Sequence, residues 1–287
     1  MKSTRNKWRL GNVVDLTRYP INQRHTLEYK KLVNSTRKIL EVDSCVSLPN
    51  FILEDKLSDL QNEGNTVKDQ AVYNLKPQNP YFSEMPEDAP EDDPRRYKGT
   101  RTQGFVRSDY FDRQKDLWQL YSHPDVSQFI ADVVEVPELF YYEDPFGSLN
   151  MSVQKKDDEF HWHFDTNDFT VTLMLQKSEG GGRFEINPNT RTAKDECYDN
   201  VKKIIREDFD KLISYDIEPG AFQIFRGRYG MHRVTPVVGD TPRLIAVMSY
   251  VLQPGMFASP ERSMQVWGEV HPLQVEAQRR RSDGLLD

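Results

Sequence analysis

Between residues 139 and 252 the chain carries a succession of short apolar or alternating runs, and this limits it to few folds. Candidate strands fall at 139–142, 148–154, 169–176, 182–186, 221–226, 232–236 and 244–252. Gly180-Gly181-Gly182 and Pro219-Gly220 mark turns between some of them. Short strands with regular turn signals suit a sandwich or double-sheet barrel. Helical periodicity interrupts them once, over 197–212, as an insertion within the β region.

Ahead of these strands the pattern is helical. Leu32, Val33, Ile39 and Leu40 recur at helical spacing over 27–42. A short strand and turn follow at 45–51, then a second helix over 53–63 with Gly64 as its C-terminal cap. Residues 76–99 are rich in Pro, Asp and Glu without periodicity, which reads as a long loop, either a lid or plain surface. Alternation over 100–107 suggests a strand, and helices at 115–121 and 126–134 are punctuated by Pro124 and Pro137.

The expected architecture is mainly β with helical decoration, an α+β chain forming one domain over 1–287. Residues 1–138 make an N-terminal layer, 139–252 the β core with its insertion at 195–213, and 253–287 a tail over the site.

Composition excludes several classes of partner. The formal net charge of -7 and the lack of a Lys/Arg block leave nucleic acids and anionic membranes without electrostatic support. Cys45 and Cys197 are too few and too far apart for a disulfide framework or zinc finger. The basic N-terminal residues lead into no apolar segment, and no run of some eighteen apolar residues occurs. The expectation is a cytoplasmic protein acting on a small molecule. Its oligomeric state is not legible.

Chemistry concentrates in His161-Trp162-His163-Phe164-Asp165. In extended chain, residues i and i+2 project from one face, so His163 and Asp165 can share an ion if a second imidazole arrives from elsewhere. His232 is the obvious supplier. Two histidines and a carboxylate on one face of a metal leave positions open, the arrangement of Fe(II) enzymes that hold a cosubstrate and O₂ together. A His-x-Asp pair alone is weak, being common by chance. The second half strengthens it: the 221–226 strand, His232 opening another, and Arg243 eleven residues later opening a third. An arginine there can clamp the far carboxylate of 2-oxoglutarate by a charge-assisted pair. The plain alternative for Arg243 is a surface salt bridge.

The segments from His163 to Phe169, Gly181-Gly182-Arg183-Phe184-Glu185, Pro219-Gly220 and His232 to Val237, with Arg243, resemble the iron(II)/2-oxoglutarate-dependent oxygenases. More narrowly, they resemble the branch of free-amino-acid radical halogenases and their hydroxylase relatives. The similarity covers roughly 139–270 and the start of the second helix. It implies a double-stranded β-helix, or jelly-roll, with His163, Asp165 and His232 as iron ligands and Arg243 as cosubstrate anchor. It also implies the reaction: O₂ and 2-oxoglutarate are consumed, succinate and CO₂ leave, and hydrogen is abstracted from an unactivated C–H bond. In the halogenases of that branch a small residue replaces the carboxylate ligand and frees a site for chloride. Here that position is Asp165, so hydroxylation is expected and halogenation is not. Desaturation or oxidative cyclisation from the same iron site stays open.

Substrate residues are less defined. His161 shares strand parity with His163 and either faces the cavity or stands solvated at its mouth, and Asn167 continues that parity. Asp168 either accepts from a substrate amine or caps a turn. Arg101 and Arg107 each either supply the cation for an amino-acid carboxylate or lie on the surface. Trp267 either walls the site, as an aromatic residue does in the amino-acid-acting relatives, or covers the barrel end. The lysine-acting relatives grip substrate through polar residues after the cosubstrate arginine. Here Val247, Met248 and Ser249 stand instead, which tilts the expectation toward a less polar amino acid. Two rival classes remain: a zinc or cupin-type enzyme, although no His-Glu-x-x-His occurs to supply a general base, and a jelly-roll binding module with incidental histidines.

Overall fold

The computed structural model describes residues 8–73, 75, 77–83, 85 and 87–280. Its centre is a pair of facing antiparallel sheets. The larger has strands Cys45–Leu48 (β1), Val72–Tyr73 (β2), Gly104–Val106 (β3), Leu149–Gln154 (β5), Thr170–Gln176 (β7), Phe222–Phe225 (β11) and Arg243–Met248 (β14). They lie in the order β1-β11-β7-β14-β5-β3-β2. The smaller sheet has Phe160–His163 (β6), Phe184–Asn187 (β9), Ile213–Tyr215 (β10) and Met231–Val234 (β12), in the order β10-β9-β12-β6. Phe140–Tyr141 (β4) pairs with Tyr250–Val251 (β15), and Gly180–Gly181 (β8) with Val237–Val238 (β13). Consecutive strands cross between the sheets, and the result is a jelly-roll core.

Strand alternation decides what each face meets. Val171, Leu173 and Leu175 of β7 and Leu244, Ala246 and Met248 of β14 point outward into an apolar layer shared with the helices. Met174 and Ile245, on the opposite face, join Phe184, Phe225 and Val234 between the sheets. Each fully buried Leu or Phe contributes roughly 1.5–3 kcal/mol to closing these layers.

The covering helices are Leu27–Asp43 (α1), Glu54–Val67 (α2), Asp116–Tyr121 (α3) and Pro124–Val134 (α4). Thr26 caps α1 by accepting from the Tyr29 amide at 3.2 Å, and Ser44 ends it in the left-handed region. The α1 stripe of Tyr29, Val33 and Leu40 and the α4 residues Phe129, Ile130 and Val133 are buried together.

Gly64 does not cap the second helix: α2 runs through it to Val67. A Cβ there would lie 3.0 Å from Leu175 Cδ1 and 3.1 Å from Met151 Sδ, so the missing side chain lets α2 sit close on the larger sheet.

The helical insertion is shorter than expected. Helix Tyr198–Ile205 (α5) stops before Glu207, whose φ of 60° breaks the helix, and the chain then supplies β10 to the smaller sheet. Two further helices, Pro260–Trp267 (α6) and Pro272–Arg280 (α7), occupy the tail, where no helix was expected. The signals were present: Ser259 caps α6 by accepting from Arg262 N at 3.1 Å, Pro260 stands at its first position, and Gly268 follows in the left-handed region. None of the described helices is long and apolar enough to cross a membrane.

Within the 76–99 loop, residues 80–82 pack on the core. Pro80 O accepts from Phe164 N at 2.8 Å, and the Phe82 ring lies 5.5 Å from that of His163. The expectations for residues 1–7, 76, 84, 86 and 281–287 concern positions outside the described residues.

Candidate active site

Strands β6 and β12 are antiparallel neighbours, and their register sets His163 opposite His232. Between His232 and Val234 the register shifts, so that Phe160, three positions before His163, pairs with Val234, two positions after His232. This bulge turns Phe160 and His163 to the same inner face, where their rings stack at 3.6 Å. Asp165 follows just past the strand, anchored by its amide donating to Gly227 O at 3.0 Å. Its Oδ1 lies 3.8 Å from His163 Nε2 and 3.5 Å from His232 Nε2, and the three ligand atoms all fall within 4.8 Å of one another.

The surroundings fix each ligand's orientation. His163 Nδ1 contacts His161 O at 2.7 Å, and His232 Nδ1 contacts Gly230 O at 3.0 Å. Each Nδ1 therefore carries its proton, and each Nε2 lone pair points at the shared space. Burial, reinforced by His232, holds His163 well below the usual imidazole range, so that it is neutral. Burial alone would raise Asp165. His232, then His163 and the Thr170 hydroxyl, reverse that and keep it below the usual carboxylate range. Thr170 Oγ1 donates to Asp165 Oδ2 at 2.5 Å. Gly227 closes the other side: a Cβ there would lie 2.1 Å from the same Oδ2. Two imidazoles presenting Nε2 and one carboxylate, turned to one shared space, suit a divalent iron ion.

Arg243, at the start of β14, is 3% exposed and has no carboxylate partner among the described residues. Its Nη1 donates to Gln154 Oε1 at 2.8 Å across the β14–β5 pair, while Nε has no partner. Burial pulls its pKa down to about 10. Gln154 Nε2 and Ser178 Oγ are likewise buried and unpartnered. Arg243 Cδ and Ser178 Oγ each lie 2.9 Å from where a Cβ on Gly182 would stand, so they flank one point. A buried cation without a counter-ion is costly, and the cost is relieved when an anion arrives. These orphaned donors fit the distal carboxylate of 2-oxoglutarate.

The other residues singled out in the sequence fall in different places. The β6 bulge breaks the parity argument for His161. It turns aside, with Nδ1 2.7 Å from Thr100 O and its ring 6.2 Å from that of His163. Arg101 is buried, with its guanidinium 4.9 Å from the Phe105 ring centre and 5.4 Å from that of Phe160. Arg107 pairs with Asp109 at 2.9 Å and with Glu269, which ties the chain before α3 to the tail. Asn167 is exposed, and Asp168, also exposed, lies 3.5 Å from Arg228 Nε. Trp267 is buried against Phe105 and Phe146.

Several residues that shape the site carried no sequence signal. In the inner row of the larger sheet, Gln223, Thr172, Val247 and Asn150 are successive cross-strand neighbours. Met248 points outward, so polarity around the cavity comes from β5, β7 and β11 and not from the strand after Arg243. Ser152 continues the β5 face and donates to Gln103 Oε1 at 3.0 Å. Thr170, Gly227 and Gln154 become visible only once strand register is known.

A jelly-roll carrying this His–Asp–His triad, with a buried arginine eleven residues past the second histidine, defines an iron(II)/2-oxoglutarate-dependent oxygenase. A family model described as Halogenase D matches residues 29–262, and the chain belongs to that family.

Among solved structures, the chain is similar to the non-heme alpha-ketoglutarate-dependent carbocyclase SnoK from nogalamycin biosynthesis. The TM-score is 0.53 and the identity 14%, over 75% of this chain and 82% of that one. The epimerase SnoN of the same biosynthesis gives a TM-score of 0.51 and 12% identity, over 77% and 83%. At such identities the likeness is one of fold. No protein of curated function matches the chain.

Proposed function

We propose that the protein hydroxylates an unactivated C–H bond of a small metabolite, a free amino acid or a close relative, with conversion of 2-oxoglutarate to succinate and CO₂. The observation carrying the choice of hydroxylation is Asp165. Its carboxylate, held between Thr170 and Gly227 at the third ligand position, occupies the place that a halide would need.

Bound iron(II), with 2-oxoglutarate and O₂, supplies the oxidising power. The chain's own residues supply position and exclusion. His163 and His232, oriented by their Nδ1 contacts, and Asp165 would hold the ion. Arg243 pairs with the distal carboxylate of 2-oxoglutarate, helped by Ser178 and Gln154. Phe82 and Phe160, packed about His163, keep water from the ligand side. Asn150, Ser152 and Thr172 offer polar contacts, and Arg101 offers a cation, on the substrate side.

The test is anaerobic reconstitution with iron(II) and 2-oxoglutarate, then exposure to O₂ and a panel of amino acids in chloride buffer. A product heavier by one oxygen, with succinate in equal amount, is expected. A chlorinated product would overturn the hydroxylase reading, and succinate formation that no amino acid stimulates would overturn the substrate class.

A further inference from the structure

His161 is buried two positions before the iron ligand His163, and its bonds run in two directions. Residues 100–102 lie antiparallel beside this part of β6. Thr102 N donates to Glu159 O at 3.1 Å, Arg101 forms a bridge with Phe160, and His161 N donates to Thr100 O at 3.0 Å. The His161 ring adds a second bond to the same acceptor, with Nδ1 2.7 Å from Thr100 O. Facing a carbonyl oxygen, that Nδ1 carries the proton. In the other direction, His161 O lies 2.7 Å from His163 Nδ1, the contact that turns His163 Nε2 toward Asp165 and His232. Thr100 O belongs to the peptide that leads into Arg101. One residue therefore ties the chain at Arg101 to the imidazole of an iron ligand.

The imidazole is destabilising in one respect. Its Nε2 is buried without a hydrogen-bond partner among the described residues, and an unpaired buried polar atom costs roughly 1–3 kcal/mol. An apolar side chain would fill the same place without that penalty, so bulk alone does not account for the ring. The neighbouring backbone is shaped to receive it. A Cβ on Gly99 would lie 2.1 Å from His161 Cγ and Cδ2 and 2.6 Å from its Cβ. The φ of Gly99 lies outside the left-handed region, so this glycine answers to the ring and not to its own backbone. Gly99 also exchanges backbone hydrogen bonds with Gln78, at 3.0 and 3.4 Å, which closes the base of the 76–99 loop around His161. The Tyr97 ring stands 6.3 Å from the imidazole. What an apolar residue could not supply here is the Nδ1 proton, and that proton is aimed at the segment of Arg101.

We infer that His161 is a positioning residue: through its Nδ1–H and its carbonyl it sets the orientation of His163 and the placement of Arg101 relative to it. This rests on the hydroxylase reading, in which His163 holds iron and Arg101 meets the substrate. A substrate gripped at Arg101 presents to the ion the carbon that the offset between residues 100–102 and β6 dictates. A misplacement of about 1 Å costs roughly 100-fold in such a reaction, so a side chain that fixes this offset helps to choose the carbon without touching it.

The test compares His161→Asn, whose amide nitrogen stands as many bonds from the backbone as Nδ1 does, with His161→Leu, which fills space without a donor. Iron(II) affinity is titrated anaerobically, and the metal-free protein is melted. Product per succinate is measured at saturating iron with whichever amino acid best stimulates the wild type. His161→Leu should weaken iron binding by about 10-fold, the lower end for groups that orient a metal ligand, and should lower product per succinate by roughly twofold or more. Its metal-free Tm should move by no more than a few degrees. His161→Asn should restore iron affinity to within about threefold of wild type, and the product ratio with it. Gly99→Ala, which presses on the ring without replacing its polar atoms, should follow His161→Leu. Unchanged iron affinity or an unchanged product ratio in His161→Leu overturns the inference, as does a loss that His161→Asn shares in full. A large fall in the metal-free Tm of His161→Leu would overturn it too, because the ring would then be serving the fold alone. If no amino acid stimulates the wild type, the proposed substrate class fails and iron affinity still decides for or against His161. If the wild-type protein binds no iron(II), the hydroxylase reading fails and this inference falls with it.

Discussion

Gly227→Ala isolates the geometry of the carboxylate ligand from the stability of the fold. The φ of Gly227 lies outside the left-handed region, so alanine adopts its backbone without strain. The added Cβ would lie 2.1 Å from Asp165 Oδ2, 2.7 Å from Cγ and 2.9 Å from Cβ. Ordinary contact begins at 3.4 Å, so Oδ2 must retreat by about 1.3 Å. Metal ligands tolerate only about 0.2 Å. The displaced carboxylate also loses the Thr170 hydroxyl. Disturbing the groups that orient a ligand typically costs 10–100-fold in metal affinity, which is roughly 1.4–2.7 kcal/mol. The assay is anaerobic iron(II) titration beside thermal melting of the metal-free protein. Iron affinity should fall by about 10–100-fold, the metal-free Tm should move by no more than a few degrees, and excess iron should recover part of the succinate formation. Unchanged iron affinity would refute the reasoning, because it would mean that Asp165 has room to move without consequence.

Arg243→Met should raise the KM for 2-oxoglutarate by at least tenfold, the loss expected for a charge-assisted pair. It should also stabilise the cosubstrate-free protein, because burial holds Arg243 near 10 against 12.5, a penalty of about 3 kcal/mol at most. Melting with and without 2-oxoglutarate reads both effects, and a variant destabilised in both states would contradict them. Thr170→Val removes the donor to Asp165 Oδ2 while keeping the shape. It should weaken iron binding less than Gly227→Ala does, and the same titration ranks the two.

Glu63 gives a pH prediction away from the site. Its carboxylate accepts from the Asp116 and Leu117 amides at the start of α3, and burial pushes its pKa up to about 7. The folded value lies above the unfolded one, so its stabilisation is complete at low pH and is lost as pH rises from about 4.5 through 7. Glu63→Gln should flatten the stability curve across that window by about 1 kcal/mol, allowing for solvent screening. Urea melts at pH 5 and pH 8 measure it, and an unchanged slope would count against the assignment.

Local pattern carried the fold far. The succession of short apolar runs over 139–252 showed a double-sheet β core, and the spacing of His163, Asp165, His232 and Arg243 carried the iron reading. What stayed hidden depended on register or on contact across the chain. His161 shows the first case: an intact strand would have turned it inward, and the bulge opposite His232 and Val234 sent Phe160 there instead. Gly64 shows the second: as a cap it obeyed a local rule, while its actual reason is the side chains of Met151 and Leu175, far away in sequence.

The same distinction explains why the substrate side was the hardest part to read. The residues proposed for iron and cosubstrate lie in a compact segment of the β core, from β6 to the start of β14, where a few side chains at fixed spacings leave a motif. The cation proposed for the substrate, Arg101, precedes the core, and the Phe105 ring beneath it packs on Trp267 of a tail helix that the β pattern gave no reason to expect. That helix is fastened through Asp144, Arg107 and Trp267, none of them a candidate iron ligand, so its polar face can change without disturbing His163, Asp165 or His232. Substrate choice in this architecture can therefore vary independently of the chemistry it feeds.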